Sequence, residues 1–242
     1  MSIRASFAAL TISVTLAVGC ASKAQRLHVQ QWGTMYEVLR EGKAEGRVGL
    51  GELTHPETVG VGALERLAGE VMIVNGEVWT ARVEDGEPVA TQVSDPGAVR
   101  AALLIAARVP RWRVVAIDSD VAPGDFEALL AAAIDKNGLS HESVVPFMVE
   151  GPLAAVEMHV VNGRCPQAGE TADPTDDAYR GAWARARGTI VGFFAEDRAG
   201  VLTHHTSRVH AHALLVGPTP MMGHADRIGL RPGAMLMLPI GD

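Results

Sequence analysis

The chain has 242 residues, 48% of them hydrophobic and 20% charged, with 21 Lys and Arg against 28 Asp and Glu for a net charge of −7. That balance excludes a disordered tail, a collagen-like rod and a disulfide-stapled mini-protein. With no Lys/Arg run to offset the acidic excess, it also argues against nucleic acid as a partner. The length suits one large domain or two small ones, with room for a sizeable core.

Taken in chain order, the first feature is an address. Arg4 is the only charge before Lys23, and an apolar stretch from Phe7 to Val18 follows it. That stretch is too short for a transmembrane helix, which needs about 20 residues. Basic, apolar and small-residue regions in this order form an export signal. Leu16-Ala17-Val18-Gly19-Cys20 resembles a bacterial lipoprotein signal, so residues 1–19 are expected to be removed and Cys20 lipidated. Removal takes Arg4 away and leaves 223 residues with a net charge of −8. The expected location is the periplasmic or cell-surface side of a bacterial membrane, held by the lipid. Cys165 is then the only other cysteine, which leaves it without an intramolecular disulfide partner.

Gln31 to Glu41 reads as a short amphipathic helix stopped by Gly42. In Gly69-Glu70-Val71-Met72-Ile73-Val74-Asn75-Gly76-Glu77-Val78, Asn-Gly between β-formers is a strong hairpin signal. Pro96 to Val109, dominated by Ala and Leu, predicts a helix, and Arg113 to Ile117 a buried strand. Asp125 to Lys136 predicts a second helix, stopped at Asn137-Gly138. Val144 to Val161 reads as two strands joined around Gly151-Pro152, and 162–187 as a long loop. Strand character resumes at Gly188 to Ala195, at Arg208 to Val216 and from Gly223 to Leu238. The fold class is α+β: β-rich, with two β-containing halves and a few short helices. The expected divisions are a signal at 1–19, an N-terminal half at 20–143 and a C-terminal half at 144–242.

Five of the nine histidines fall between positions 204 and 224. His210 and His212 sit two apart in a strand, so their imidazoles share a face. His224 follows after a proline-broken connection that can fold back as a hairpin. Three neutral imidazoles with an open fourth position are the pattern of a catalytic zinc site. The simplest hairpin register sets His224 opposite Leu215, so a bulge or tilt is expected. His204 and His205, being neighbours on the chain, face opposite ways, and at most one can join such a site.

Along almost the whole mature length the chain resembles the α-acetolactate decarboxylases. The matching pieces are Gln31, Thr34-Met35 and Glu37-Val38-Leu39, then Gly51-Glu52-Leu53, Gly60-Val61-Gly62-Ala63-Leu64 and Leu67 to Val78. Pro146-Phe147, Glu150-Gly151, Gly188-Thr189-Ile190-Val191-Gly192-Phe193, His210-Ala211-His212 and Gly223-His224 complete the series. The resemblance implies Zn²⁺ on His210, His212 and His224, with Glu70 completing the site. The implied reaction is decarboxylation of 2-hydroxy-2-methyl-3-oxobutanoate (2-acetolactate) to acetoin, or of a close 2-hydroxy-3-oxo acid. It also implies a homodimer.

At three places the chain departs from the family pattern. His159 stands where the family has a substrate-holding arginine, Ala63 where it has a threonine, and no glutamate follows His224. Arg208 has the strand parity of His210 and His212, so it is expected on their face, with a guanidinium suited to a substrate carboxylate. Glu70, Arg208 and His159 are thus the candidate catalytic residues. The alternatives are a hydrolytic or non-catalytic zinc protein of the same fold. The closing His-X-His and Gly-His pattern also looks like a small domain shared by plants and prokaryotes, though the matches from Gln31 to Val78 favour the decarboxylase.

Overall fold

The computed structural model describes residues 27–163, 178–204 and 206–240. The export signal, Cys20, Cys165 and His205 lie outside the described residues. Among those described, no helix is long and apolar enough to cross a membrane.

In chain order the strands and helices are β1 (His28–Trp32), α1 (Met35–Leu39), β2 (Val48–Gly49), β3 (Thr58–Leu64), β4 (Glu70–Val74), β5 (Glu77–Glu84), β6 (Glu87–Gln92), β7 (Arg100–Arg108) and β8 (Trp112–Ala116). These are followed by α2 (Phe126–Lys136), β9 (Val145–Val160), β10 (Tyr179–Phe194), β11 (Val209–Leu215), β12 (Met221–Leu230) and β13 (Met235–Pro239). One sheet runs β1-β7-β3-β4-β5-β6, with β2 also on β7; the other runs β10-β11-β12-β9-β13-β8. A further β9–β10 pairing closes β9, β10, β11 and β12 on themselves. The β-rich α+β reading therefore holds. The sheets part between β7 and β8, however, not at 143/144, because β8 pairs with the C-terminal β13 and α2 packs on the second sheet.

Four elements differ from their sequence reading, each for a physical reason. Arg113–Ile117, read as a buried strand, falls on β8, which is the edge of the second sheet and pairs with β13 alone, so Arg113, Val114 and Ala116 are exposed. Arg100–Arg108 is a central strand rather than a helix. Its Ala and Leu side chains are buried on both faces, between β1 and β3, and that burial overrides their helix propensity. Val145–Val160 is one strand, not two. Along one edge it pairs with β10 throughout; along the other it pairs with β13 before Gly151-Pro152 and with β12 after it. Gly151, at φ 125, sits where the partner changes from β13 to β12. Tyr179–Arg187, read as loop, extends β10: its half-buried positions alternate with exposed ones but include Gly181, and the alternation slips at Ala184-Arg185, so no apolar period marks it. The Asn75-Gly76 hairpin is as expected, with φ 49 and 81 at the turn.

The apolar residues form layers. Phe126, Leu130 and Ile134 of α2 pack on Phe147, Leu153 and Ala211 of the second sheet. Between the sheets lie Val59, Val61, Met72 and Ile105 from the first and Met148, Val191, Phe193 and Met222 from the second. Each large side chain buried here contributes about 1.5–3 kcal/mol. At one margin of this inter-sheet layer α1 sets Met35 and Val38 against Ala63, Leu67, Leu103 and Val161. Thr34 and Glu37 cap one another at the start of α1, and Arg47 pairs with Glu37 at 3.2 Å. The site described next lies under this helix.

Candidate metal centre

Three adjacent strands of the second sheet bring four histidines to one face. The connection after β11 spans residues 216–220, which sets Leu215 opposite Met221 and therefore His212 opposite His224. No bulge is required. The expected register, with Val216 against Gly223, implies a loop at 217–222; the offset disappears because β11 ends at Leu215 and β12 begins at Met221. His224 in turn stands opposite His159 on β9. Gly223 allows that closeness, since a Cβ there would lie 2.6 Å from the His159 carbonyl oxygen. His210 joins through the two-residue period of β11.

The ligand-capable atoms of His210, His212 and His224 all lie within 4.8 Å of one another, and all three residues are buried. Neither ring nitrogen of His212 meets the geometry of a full hydrogen bond, although the Val71 main chain lies close and the residue is fully enclosed. Orphaned buried nitrogens are costly unless something binds them, and a cation among three imidazoles would satisfy them. Burial, then the nearby His204, pushes the His210 imidazole down to about 3, with the Leu202 main chain opposing. Burial and the neighbouring histidines likewise push His212 and His224 well below the usual imidazole value. Neutral imidazoles are the form that binds a metal.

Glu70 faces this cluster from the other sheet. It shares the parity of Met72 on β4 and stands opposite Ala63 on β3. Its Oε2 is 3.7 Å from His212 Nε2, while Oε1 accepts from the Val161 N–H at 3.2 Å. Burial raises its carboxyl to about 7, against the lowering effects of His159 and the Val161 hydrogen bond. The cavity between the sheets is lined by Glu70, His159, His204, His210 and His224 on its polar side. Met35, Leu39, Leu67, Leu103 and Val161 line its apolar side. Of the neighbouring pair His204 and His205, His204 reaches this cavity, its ring centroid 5.0 Å from that of His224.

Arg208 is not brought to the cavity, and the parity expectation is corrected here. Strand β11 begins one residue later, and the Arg208 N–H is turned to Glu127 of α2. Its guanidinium lies 3.4 Å from Glu127 and 3.2 Å from Glu196, stacked over Phe194 on the α2 side. His159 does line the cavity, with Nδ1 2.8 Å from Asp226. Asp226 has no place in the sequence reading; its one signal is its position two residues after His224.

The fold and site define a two-sheet protein with a buried three-histidine centre faced by a glutamate. The family described as alpha-acetolactate decarboxylase matches residues 29–219. The chain belongs to that family. Its fold is similar to that of alpha-acetolactate decarboxylase from Bacillus subtilis strain 168, at TM-score 0.68 and 22% identity, over 87% of this chain and 85% of that one. The acetolactate decarboxylase of Bacillus subtilis subspecies spizizenii gives TM-score 0.69 and 21% identity over the same shares. A Staphylococcus aureus protein of unknown function, described as similar to alpha-acetolactate decarboxylase, gives 0.64 and 19%, over 87% and 84%. No curated protein sequence matches the chain. Family and fold together indicate an acetolactate decarboxylase-like function.

Proposed function

We propose that the protein decarboxylates 2-acetolactate to acetoin, or a close 2-hydroxy-3-oxo acid to the corresponding hydroxy ketone, using Zn²⁺ held by His210, His212 and His224. The observation that carries this reading is the enclosed histidine triad with the Glu70 carboxyl 3.7 Å from His212. When bound, zinc supplies Lewis acidity toward the hydroxyl and ketone oxygens of the substrate.

Loss of CO₂ breaks the C1–C2 bond and leaves its electron pair on C2, conjugated with the C3 carbonyl as an enediolate. A proton delivered to C2 then gives acetoin. Glu70 is placed for that delivery: its Oε2 faces the histidines, 3.7 Å from His212 Nε2, and burial favours the protonated carboxyl in the metal-free site. The apolar side of the cavity, under Met35 and Leu39, receives the methyl groups and excludes water from the carbanion-like carbon. Ala63 beside Glu70 offers only a methyl group where the family has a hydroxyl.

We also propose that the chain is exported and anchored through a lipid on Cys20, and that it works as a homodimer. Mass spectrometry of the membrane-extracted protein would read the lipid and the cleavage at residue 19, and light scattering would read the dimer.

The decisive measurement is metal content together with acetoin formation from racemic acetolactate. About one zinc per chain with acetoin produced supports the reading. Stoichiometric zinc without acetoin removes the substrate and leaves a hydrolytic or non-catalytic zinc protein. Absence of bound metal removes both.

A further inference from the structure

The apolar walls of the cavity are of two kinds. Those built by the sheets have little freedom. Gly62 and Ala63 belong to β3 and Leu103 to β7, both interior strands of the first sheet. A Cβ at Gly62 would run into the Leu103 carbonyl oxygen, so that position has no room for a larger residue. Leu67 sits at φ 52 in the turn before β4, and its carbonyl accepts from the Gly163 N–H at 2.7 Å. Val161 is tied to Glu70 through its own N–H.

The other wall is α1, which meets the cavity with Met35 and Leu39, one turn apart on the same face. What anchors this short helix lies away from the cavity. The first N–H groups of a helix have no partner within it. Here Met35 N–H donates to the Val201 carbonyl at 3.0 Å and Tyr36 N–H to that of Gly200 at 3.1 Å. Thr34 and Glu37 cap the start, and Arg47 pairs with Glu37. These anchors are kept whatever side chain stands at position 35.

The cavity is tight. Its free volume is about 30 Å³, room for about two waters, so the alkyl groups of a substrate enter only where a wall side chain gives way. Met35, 6% exposed, is unbranched, and its thioether is the most yielding of the apolar side chains there. Its compliance has a limit, because Ala63, Leu67, Leu103 and Val161 pack around it.

We propose that Met35 is the specificity-determining residue of the site: its thioether tail sets the size of alkyl group admitted, and it restricts the protein to 2-hydroxy-3-oxo acids that carry methyl rather than longer groups. The proposal rests on the decarboxylase reading above and deepens it.

The test uses the whole metal-loaded chain and two probes, 2-hydroxy-2-methylpropanoate and 2-ethyl-2-hydroxybutanoate. They differ only in two methyl against two ethyl groups, and neither has a ketone to drive decarboxylation. In the unmodified protein calorimetry should show the dimethyl probe binding at least about tenfold more tightly, the scale set by a methylene that does not fit. Met35→Ala should bring the ratio close to one through tighter binding of the diethyl probe, a gain that a misfolded variant does not give. Met35→Leu should keep most of the preference. Thr34→Ala, which removes the cap of the same helix and leaves the cavity side chains intact, should keep the ratio within twofold. With substrates, Met35→Ala should shift kcat/KM toward 2-ethyl-2-hydroxy-3-oxobutanoate over 2-acetolactate, mainly through KM. A preference undiminished in Met35→Ala would assign size selection to the strand walls and overturns the proposal. Collapse of the ratio in Thr34→Ala would assign it to the placement of the helix and overturns it as well, as would equal binding of the two probes by the unmodified protein. Failure of the unmodified protein to make acetoin sinks the decarboxylase reading separately, because the probe ratio is read without turnover.

Discussion

The protein uses the same residue types in two places with opposite results. In the cavity between the sheets, burial raises Glu70 to about 7 and drives His210, His212 and His224 down, so the acid tends to keep its proton and the bases lack theirs. Near the C-terminal end of α2, His141 sits 2.6 Å from Glu196 and 2.8 Å from Asp135, partly open to solvent. There the carboxylate hydrogen bond raises His141 and lowers Glu196, so both are charged together. The difference teaches that desolvation decides the first group and direct pairing the second. Only the first arrangement leaves neutral imidazoles for a metal. Arg208, whose guanidinium the strand parity offers to a substrate carboxylate, belongs to the second region, where Glu127 and Glu196 hold it.

The largest effect that can test this contrast is removal of a buried ligand. His212→Ala should lower metal affinity by more than about a hundredfold, above the range for outer-shell partners, and abolish acetoin formation; metal retained at the original affinity would break the comparison. Glu70→Gln is next: turnover should fall by about 10²–10⁴ with metal content unchanged, as for loss of a general acid. Equal loss of metal and turnover would instead make Glu70 a ligand.

Acid stability of the metal-stripped protein comes third. Each buried histidine has a folded value below its unfolded 6.5, so the unfolded chain binds more protons below that pH and stability falls on acidification. Glu70 acts in the opposite sense between its unfolded 4.5 and about 7, but it is one group against three. Thermal melts of the stripped protein should therefore drop steadily below pH 6.5, and zinc should raise them most near neutrality, where it does not compete with protons.

The smallest effect belongs to the outer cluster. The contribution of His141 is fully present below 6.5 and is lost as pH rises through its raised value. That of Glu196 is present above 4.5 and is lost as pH falls through its lowered value. His141→Ala should thus cost more melting temperature at pH 6 than at pH 9. Arg208→Ala should leave metal content and turnover within twofold of the original; a larger loss of turnover at full metal loading would return Arg208 to the site.

Much of the candidate metal site is legible in the sequence. A His-X-His spacing in a strand puts two imidazoles on one face whatever surrounds it, and Asn75-Gly76 dictates its own turn because both residues tolerate positive φ. Helix α2 is equally plain, from a stop signal and a local period. Arg100–Arg108 reads wrongly as helix because its Ala-rich composition favours helix locally, and only burial between two neighbouring strands makes it a strand.

By itself, then, the sequence determined the β-rich class, the hairpin after β4, the second helix and the identity of the three clustered histidines, all of which rest on local spacing and backbone preference. The tertiary structure decided that His212 faces His224 without a bulge and that Glu70 crosses from the other sheet. It also turned Arg208 away and aimed Asp226 at His159. Those outcomes depend on loop length, strand ends and a bulge between segments distant in the chain, where no local periodicity reaches.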